Sequence, residues 1–217
     1  KKRHNSFGKT KMWYVMQADE QANLIVGFKE KVSAAEYVNH LESNTLLDIL
    51  NVDQVTKGDV YFIPTGRVHA IGAGVLLAEI QQTSDITYRI YDWDRQDSEG
   101  NFRDLHTEEA IDAIDYQVLD SYKTSYQKQT NSSTEIVSCP YFTTNVLPIS
   151  KGSVVAKEHL DKDSFVIYMC VKGEVEIATK DTVEVIKMGE TLLVPACIKK
   201  IEMKAAINSE LLEVYIV

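Results

Sequence analysis

One segment in the first half of the sequence constrains the fold more than any other. Gly58 is separated by five residues from Pro64, and Gly66 and His69 follow closely. Glycine permits a tight turn into a strand, and a Pro-x-Gly step bends the chain before the next strand. The pattern predicts that His69 points into the mouth of a β-barrel, where an imidazole nitrogen can bind a divalent metal. The alternative is that His69 is a hydrogen-bonded core residue.

The same spacing returns near the end of the chain. Gly189 is again separated by five residues from Pro195, but the later glycine and the histidine have no counterpart in this second copy. From residue 134 onward, short β-branched runs alternate with turn residues, a pattern typical of antiparallel barrels. The two copies therefore predict two related β-barrels, of which only the first carries a metal-type histidine.

The remaining elements follow from local patterns. Residues 12–17 and 24–28 are aromatic and β-branched and predict a hairpin. Ser33 and Glu36 have capping-box spacing, which predicts a helix from Ala34 that continues past Leu41. Further elements are predicted from periodicity and turn residues: a short helix over 45–50, strands near 60–62, 75–77 and 86–91, a helix over 107–114 and an extended connection over 116–134.

Composition limits the classes of function. The 217 residues carry a net charge of −9, which disfavours nucleic acid as a partner. No apolar run approaches the ~20 residues that span a bilayer, and the first residues do not resemble a signal peptide. The three cysteines lack metal-type spacing, so we expect buried thiols in a reducing, cytoplasmic compartment. No feature indicates an oligomeric state.

Two stretches resemble a known family. The spacing from Gly58 to His69 resembles a signature motif of the cupin barrel. The longer run HAIGAGVLLAEIQQTSDITYRIYDWDR, together with GKTKMWYV near the start, resembles the type I mannose-6-phosphate isomerases in their shorter bacterial form. The resemblance covers essentially the whole chain. It implies a mainly β fold of two cupin-like antiparallel barrels of the jelly-roll type, with a few short helices: a metal-site barrel with a helical insertion over 1–115 and a degenerate barrel over 116–217.

The resemblance also implies a metal site. The family interconverts mannose 6-phosphate and fructose 6-phosphate with one zinc ion per chain. Its ligands are a glutamine and a histidine in a Q-V-H-P segment, the glutamate of GKTE, and the histidine that His69 matches. Q-V-H-P does not occur here, and in the family it belongs to an N-terminal segment of roughly a hundred residues that this sequence lacks. Lys11 occupies the position of the GKTE glutamate, and an ammonium group has no lone pair for a metal.

Four further residues match the family's active site. The resemblance implies that Arg89 stabilises an enediolate and that Glu79, Asp85 and Lys9 are candidates for ring opening and proton transfer. Lys9 and Arg89 would also bind the substrate. The alternatives are a solvated lysine for Lys9, an exposed strand carboxylate for Glu79, a turn cap for Asp85 and a salt bridge to the acidic run at 92–94 for Arg89.

Two functions remain open on sequence grounds. The first is an isomerase that acts on a phosphorylated hexose through a cis-enediol, and the second is an inactive cupin pair that binds a sugar phosphate or only folds. The run from Gly58 to Arg95 favours the first, whereas Lys11 and the missing Q-V-H-P segment favour the second. The other polar and aromatic candidates are predicted to be structural: surface or helix-flanking His4, His40, His106 and His159, core Trp13 and Trp93, and a charge cluster of Asp92, Asp94 and Arg95.

Overall fold

The computed structural model describes Asn5 and residues 7–216. The chain divides into two compact units, one up to Tyr122 and one from Lys123 onward. The sequence places the boundary slightly earlier, between 115 and 116. Within the described residues, no helix is both long enough and apolar enough to cross a membrane.

The first unit is built mainly from strands. In chain order it contains β1 (Lys11–Ala18), β2 (Asn23–Phe28), α1 (Ala34–Glu42), a 3-10 helix (Leu46–Ile49), β3 (Leu50–Gln54), β4 (Val60–Ile63), β5 (His69–Ile71), β6 (Val75–Gln81) and α2 (Thr107–Ile111). The capping box is confirmed, because the Glu36 amide donates to Ser33 Oγ at 3.2 Å and the Ser33 amide donates to Glu36 Oε2 at 2.8 Å. α2 is shorter than predicted.

Two three-stranded sheets form this unit, with the orders β4-β1-β6 and β3-β2-β5. The predicted hairpin of β1 and β2 is therefore wrong, because each strand pairs with two other strands in its own sheet. Both strands are buried along most of their length, as central strands are. Side-chain pattern identified them as strands, but it does not specify which partner a strand chooses.

A second correction concerns residues 86–91, where the sequence predicts a strand but the backbone is irregular from 82 to 95. Ile86, Tyr88 and Ile90 are half-buried, so their alternation reflects an extended segment packed on the unit without a hydrogen-bonded ladder. Trp13 is 1% exposed and lies in the core as predicted. Trp93 is 42% exposed with a φ of +51°, so its predicted place in the core is wrong.

The second unit is all β. Its strands are β7 (Thr134–Ser138), β8 (Thr143–Ile149), β9 (Val154–Glu158), β10 (Val166–Lys172), β11 (Glu174–Ala178), β12 (Val183–Lys187), β13 (Thr191–Val194), β14 (Lys200–Lys204) and β15 (Ser209–Tyr215). They form sheets of order β13-β10-β15-β8-β7 and β12-β11-β14-β9 around a core that includes Leu147, Tyr168 and Leu211.

The two units repeat one design. The order β4-β1-β6 corresponds to β13-β10-β15, and β3-β2-β5 corresponds to β12-β11-β14. Gly58 and Gly189 have φ of 93° and 91°, and their amides donate at 2.8 Å to the equivalent strands β1 and β10, at the carbonyls of Val15 and Cys170 respectively. A turn at the following proline closes in both, with amide-to-carbonyl distances of 3.1 and 3.0 Å. The predicted internal repeat is thus present in the fold.

Buried polar groups occupy the interior of the second unit. His159 Nε2 lies 2.9 Å from the Tyr168 hydroxyl, which donates to Glu213 Oε1 at 2.9 Å. The Lys157 ammonium lies 3.0 Å from the same carboxylate. His159 is 3% exposed, so its predicted surface position is wrong.

The predicted positions of two other histidines agree with the structure, whereas the predicted burial of the thiols agrees only in part. His40 lies on α1 and His106 precedes α2, as predicted, and His4 lies outside the described residues. Cys170 is buried, but Cys197 is exposed, so the expectation of buried thiols fails for Cys197.

Candidate functional site

A cavity of about 890 Å³ lies in the first unit, within the range of small-molecule sites. The segment from Pro64 to Ile71 and the irregular segment from Ile86 to Trp93 line it. Its charged lining residues are six cations and three carboxylates: Lys9, Lys11, Arg67, Arg89, Arg95, Arg103, Asp92, Glu109 and Asp112. This positive wall stands out in a protein of net charge −9 and favours an anionic ligand.

Lys11 and Glu79 form an ion pair beside this cavity. The two residues lie on the neighbouring strands β1 and β6, and Lys11 Nζ is 3.0 Å from Glu79 Oε2. Trp13, directly opposite Glu79 across the strands, donates from Nε1 to the same oxygen at 2.6 Å. Burial opposes ionisation of Glu79, but the hydrogen bonds from Trp13 and Lys11 outweigh it and hold the pKa of Glu79 below its usual range. Glu79 is therefore a carboxylate with one oxygen already engaged.

His69 lines the same cavity. Its ring packs edge-on against Trp13, with centroids 5.3 Å apart, and its Nδ1 lies 2.8 Å from the Arg67 carbonyl oxygen. Since a carbonyl oxygen only accepts, Nδ1 carries the proton and Nε2 carries the lone pair. Solvent reaches the ring through the cavity, but the surrounding protein desolvates it and lowers its pKa, and the charges of Lys11 and Lys9 act in the same direction. His69 is thus a neutral imidazole with an available lone pair.

The remaining candidates separate into two groups. Lys9 and Arg89 line the cavity; Lys9 Nζ lies 3.5 Å from Thr87 Oγ1, and Arg89 Nη1 donates to the Asp104 carbonyl at 3.1 Å. Asp85 is exposed and does not belong to the cavity lining. The fold therefore brings Lys9, Lys11, His69 and Arg89 to one cavity, with Glu79 attached through Lys11.

Two ion-pair clusters fix the shape of the cavity wall. Arg67, with a side chain 5% exposed, binds Asp115 at 2.8 Å. Asp92 is buried and is held by Arg103, whose Nε donates to it at 2.7 Å, and by Arg95 at 3.7 Å. Asp92 and Arg95 thus belong to a charge cluster, as predicted, whereas Asp94 is exposed.

Known proteins resemble this chain in sequence and in fold. Residues 132–215 match the family model of the mannose-6-phosphate isomerase cupin domain. The chain is 31% identical over 194 residues to the mannose-6-phosphate isomerase ManA of Bacillus subtilis, covering 88% of this chain and 60% of that protein. It is 34% identical over 193 residues to the mannose-6-phosphate isomerase of Streptococcus mutans, with the same two coverages.

The chain is homologous to the mannose-6-phosphate isomerases. It spans about three fifths of the length of the curated relatives that it matches. The crystal structure of the mannose 6-phosphate isomerase from Bacillus subtilis superposes with a TM-score of 0.84 at 29% identity, over 97% of this chain and 65% of that one. The predicted mainly β, cupin-like architecture is therefore confirmed, with sheets arranged as in jelly rolls.

The donor set around His69 does not fit a zinc ion. Zinc in proteins binds imidazole, thiolate or carboxylate groups, usually at three or four positions. Among residues 5 and 7–216, no group of three or more such side chains could hold a metal. Of the four ligands that the isomerase resemblance implies, this chain supplies His69, and the ammonium of Lys11 stands at the position of another.

The sequence analysis did not identify several residues that line or support the cavity of this chain. It assigned Trp13 to the core, but not its bond to Glu79, which depends on the register of β1 against β6. It passed over Arg67 and Arg103, although Arg67 lies inside the motif from Gly58 to His69. An arginine between the glycine and the histidine was the available signal for Arg67. Arg103 had no such signal, because only the fold brings it to Asp92.

Proposed function

We propose that the cavity of the first unit is the sugar-phosphate site of a mannose-6-phosphate isomerase, which interconverts mannose 6-phosphate and fructose 6-phosphate. The observation that carries the proposal is the convergence of Lys9, Lys11, His69 and Arg89 on one cavity. The homology to isomerases supports it at the level of the family. The ligand is a phosphorylated hexose, and neither nucleic acid nor a membrane is a partner.

The cations have two tasks in this reaction. A phosphate group is recognised by the guanidinium of Arg89 and the ammonium of Lys9, since both make charge-assisted hydrogen bonds to phosphate oxygens. Moving a proton between C1 and C2 passes through an enediolate whose oxygens carry negative charge. Positive groups fixed beside that charge stabilise it without having to reorganise during the reaction.

His69 is the group best suited to move the proton. Its Nε2 has a lone pair, because Nδ1 is committed to the Arg67 carbonyl. Glu79 is a weaker base, since Trp13 and Lys11 stabilise its charged form and lower its pKa. Asp85, a predicted catalytic residue, lies outside the cavity lining, so its part in the reaction would require it to reach the sugar from the rim.

A second candidate function is binding without turnover. The ion pair of Lys11 with Glu79 favours it, because it occupies the place where the resemblance implies a metal ligand. The zinc ion implied by the resemblance would find His69 as a ligand. For either function we propose a cytoplasmic location, as the cysteine pattern suggests.

A coupled assay tests the isomerase. We expect the purified chain to convert mannose 6-phosphate to fructose 6-phosphate, and Arg89→Gln to reduce kcat/KM by about 100-fold or more. Lys151→Gln, on an exposed turn of the second unit, is the control and leaves the rate unchanged. Saturable binding of mannose 6-phosphate without turnover would select the second candidate, and absence of binding would reject both.

A further inference from the structure

Lys11, like Arg67, is a cation of the cavity that is nearly buried and held by a carboxylate. Its side chain is 10% exposed, and Nζ is held 3.0 Å from Glu79. Glu79 is held in turn by the indole of Trp13, which is itself 1% exposed. An ammonium group has three donors, so the bond to Glu79 leaves two for a ligand in the cavity that Lys11 lines.

The second unit contains the same arrangement at the equivalent strand positions. Trp13 lies opposite Glu79 on β6, and Tyr168 lies opposite Glu213 on β15. Trp13 donates to its glutamate at 2.6 Å and Tyr168 at 2.9 Å. In each unit a lysine ammonium lies 3.0 Å from that glutamate.

The two equivalent glutamates receive their lysine from different strands. The lysine of the second unit is Lys157, which comes from β9, whereas Lys11 comes from β1 itself. In the two units, different strands thus place a lysine ammonium beside the equivalent glutamate. The recurrence indicates that a lysine ammonium is sufficient to balance the charge of the glutamate at this position, without a metal ion. In the second unit the glutamate is 2% exposed and serves the core, while in the first unit the pair lies beside a cavity.

The local charges argue against a dication here. A divalent metal bound by His69 and Glu79 would lie close to the Lys11 ammonium. Two neighbouring positive charges repel strongly in a partly buried site. Lys9 adds a second positive charge that acts on His69. Glu79 Oε2 also accepts two hydrogen bonds, which a metal that binds this oxygen would have to displace.

We propose that the ammonium of Lys11 takes the electrostatic place of a divalent metal in this cavity, so that the first unit binds its phosphorylated hexose without a metal ion. The inference rests on the proposed function, because it concerns the same site and the same class of ligand. Lys11 contacts the oxygens of the sugar through its two remaining N–H groups, and Glu79 keeps the ammonium in position. Lys9 and Arg89 remain for the phosphate.

Calorimetric titration of fructose 6-phosphate tests the inference. The purified full chain is titrated once in excess chelator and once with stoichiometric zinc. The expected dissociation constant is the same in both within about twofold. Lys11→Met is expected to weaken binding by about tenfold or more, the loss typical of a charged hydrogen bond. Lys11→Arg preserves the charge and is expected to bind more tightly than Lys11→Met. Lys57→Met, at an exposed lysine of the same unit, leaves binding unchanged.

A second variant covers loss of folding. Lys11→Met leaves Glu79 without its cation, so Lys11→Met combined with Glu79→Gln removes both charges and relieves that cost. We expect this double variant to fold and to bind as weakly as Lys11→Met.

The unfavourable results differ in what they reject. Binding that disappears in chelator and returns with zinc would overturn the inference and leave the proposed sugar-phosphate site in place. Equal binding in chelator by the unchanged chain, by Lys11→Met and by the double variant would overturn the role of Lys11 and leave the proposed sugar-phosphate site in place. Absence of binding with chelator and with zinc would overturn the inference and the proposed function together.

Discussion

At the scale of single residues, the ion pair between Lys11 and Glu79 determines which chemistry the inner wall of the cavity supports. It converts a glutamate that could bind a metal into the anchor of an ammonium group. The neighbouring His69 stays neutral because burial lowers its pKa, and nearby Lys11 and Lys9 reinforce that effect. The wall therefore offers a fixed ammonium group and an imidazole lone pair, a combination suited to holding and deprotonating a sugar.

Reversing the charge at Lys11 should restore metal binding. The substitution Lys11→Glu places a second carboxylate beside Glu79 and His69, which gives two oxygen donors and one imidazole nitrogen, the minimum for a zinc-type site. We expect this variant to bind Co²⁺ with visible ligand-field bands, whereas the unchanged chain shows none. Lys57→Glu has the same change of charge at an exposed site and serves as the control. Cobalt spectra that do not differ between Lys11→Glu and the unchanged chain would contradict this view of the site.

At the scale of elements, a close approach between β2 and the end of the first unit holds the two together. Gly27 has a φ of +71°, and a Cβ built on it would lie 2.3 Å from the Tyr122 ring. The Tyr122 hydroxyl donates to the Phe28 carbonyl at 2.9 Å and accepts from the Phe28 amide at 3.2 Å. Tyr122 thus fills the space that the glycine leaves and bonds the backbone beside it.

Gly27→Ala should therefore be costly. We expect it to lower the free energy of unfolding by more than about 3 kcal/mol, because backbone strain at positive φ adds to a steric clash. Gly100→Ala is a matched control: its φ is +85° and its Cβ would meet nothing within 4 Å, so only the strain of about 1 kcal/mol remains. Urea unfolding of both variants measures the difference. Equal losses would mean that Tyr122 yields to the new methyl group.

The sequence predicted strands better than their partners. The positions of β1, β2 and β4 followed from side-chain pattern, and α1 followed from the Ser33 capping box. The pairing of β1 with β4 and β6 did not, because pairing depends on contacts distant in sequence. For the same reason His69 was found by its motif, whereas the Trp13 bond to Glu79 was not. Residues 86–91 were misread because an extended chain on a surface shows the same period as a strand.

At the scale of the whole molecule, the chain carries two versions of one barrel, in which the equivalent glutamates meet different surroundings. Glu79 borders a cavity, whereas Glu213 is enclosed with Lys157, Tyr168 and His159. Burial disfavours the charged form of Glu213, but Lys157, Asn145 and Ser133 outweigh it and lower its pKa. Burial also lowers the pKa of His159 from 6.5, so the folded chain keeps it neutral.

This cluster predicts acid sensitivity. Because the folded pKa of His159 lies below its unfolded value, the unfolded chain binds the extra proton first as pH falls below about 6.5, and stability declines. Glu213 adds a further loss below about 4.5, with the same sign. We expect the free energy of unfolding, measured with urea, to fall between pH 7.5 and 5.5 by up to about 1.4 kcal/mol per pH unit for one group. His159→Gln should show a smaller slope, and an unchanged slope would contradict the assignment.

The most direct test of metal-free binding at Lys11 is a crystal structure of the chain grown with fructose 6-phosphate and a metal chelator. We expect the sugar phosphate in the cavity of the first unit, with its phosphate on Lys9 or Arg89 and its hydroxyls within hydrogen-bond distance of Lys11 Nζ. The sugar phosphate bound only at another place in the chain, or a cavity that stays empty at saturating ligand, would contradict it.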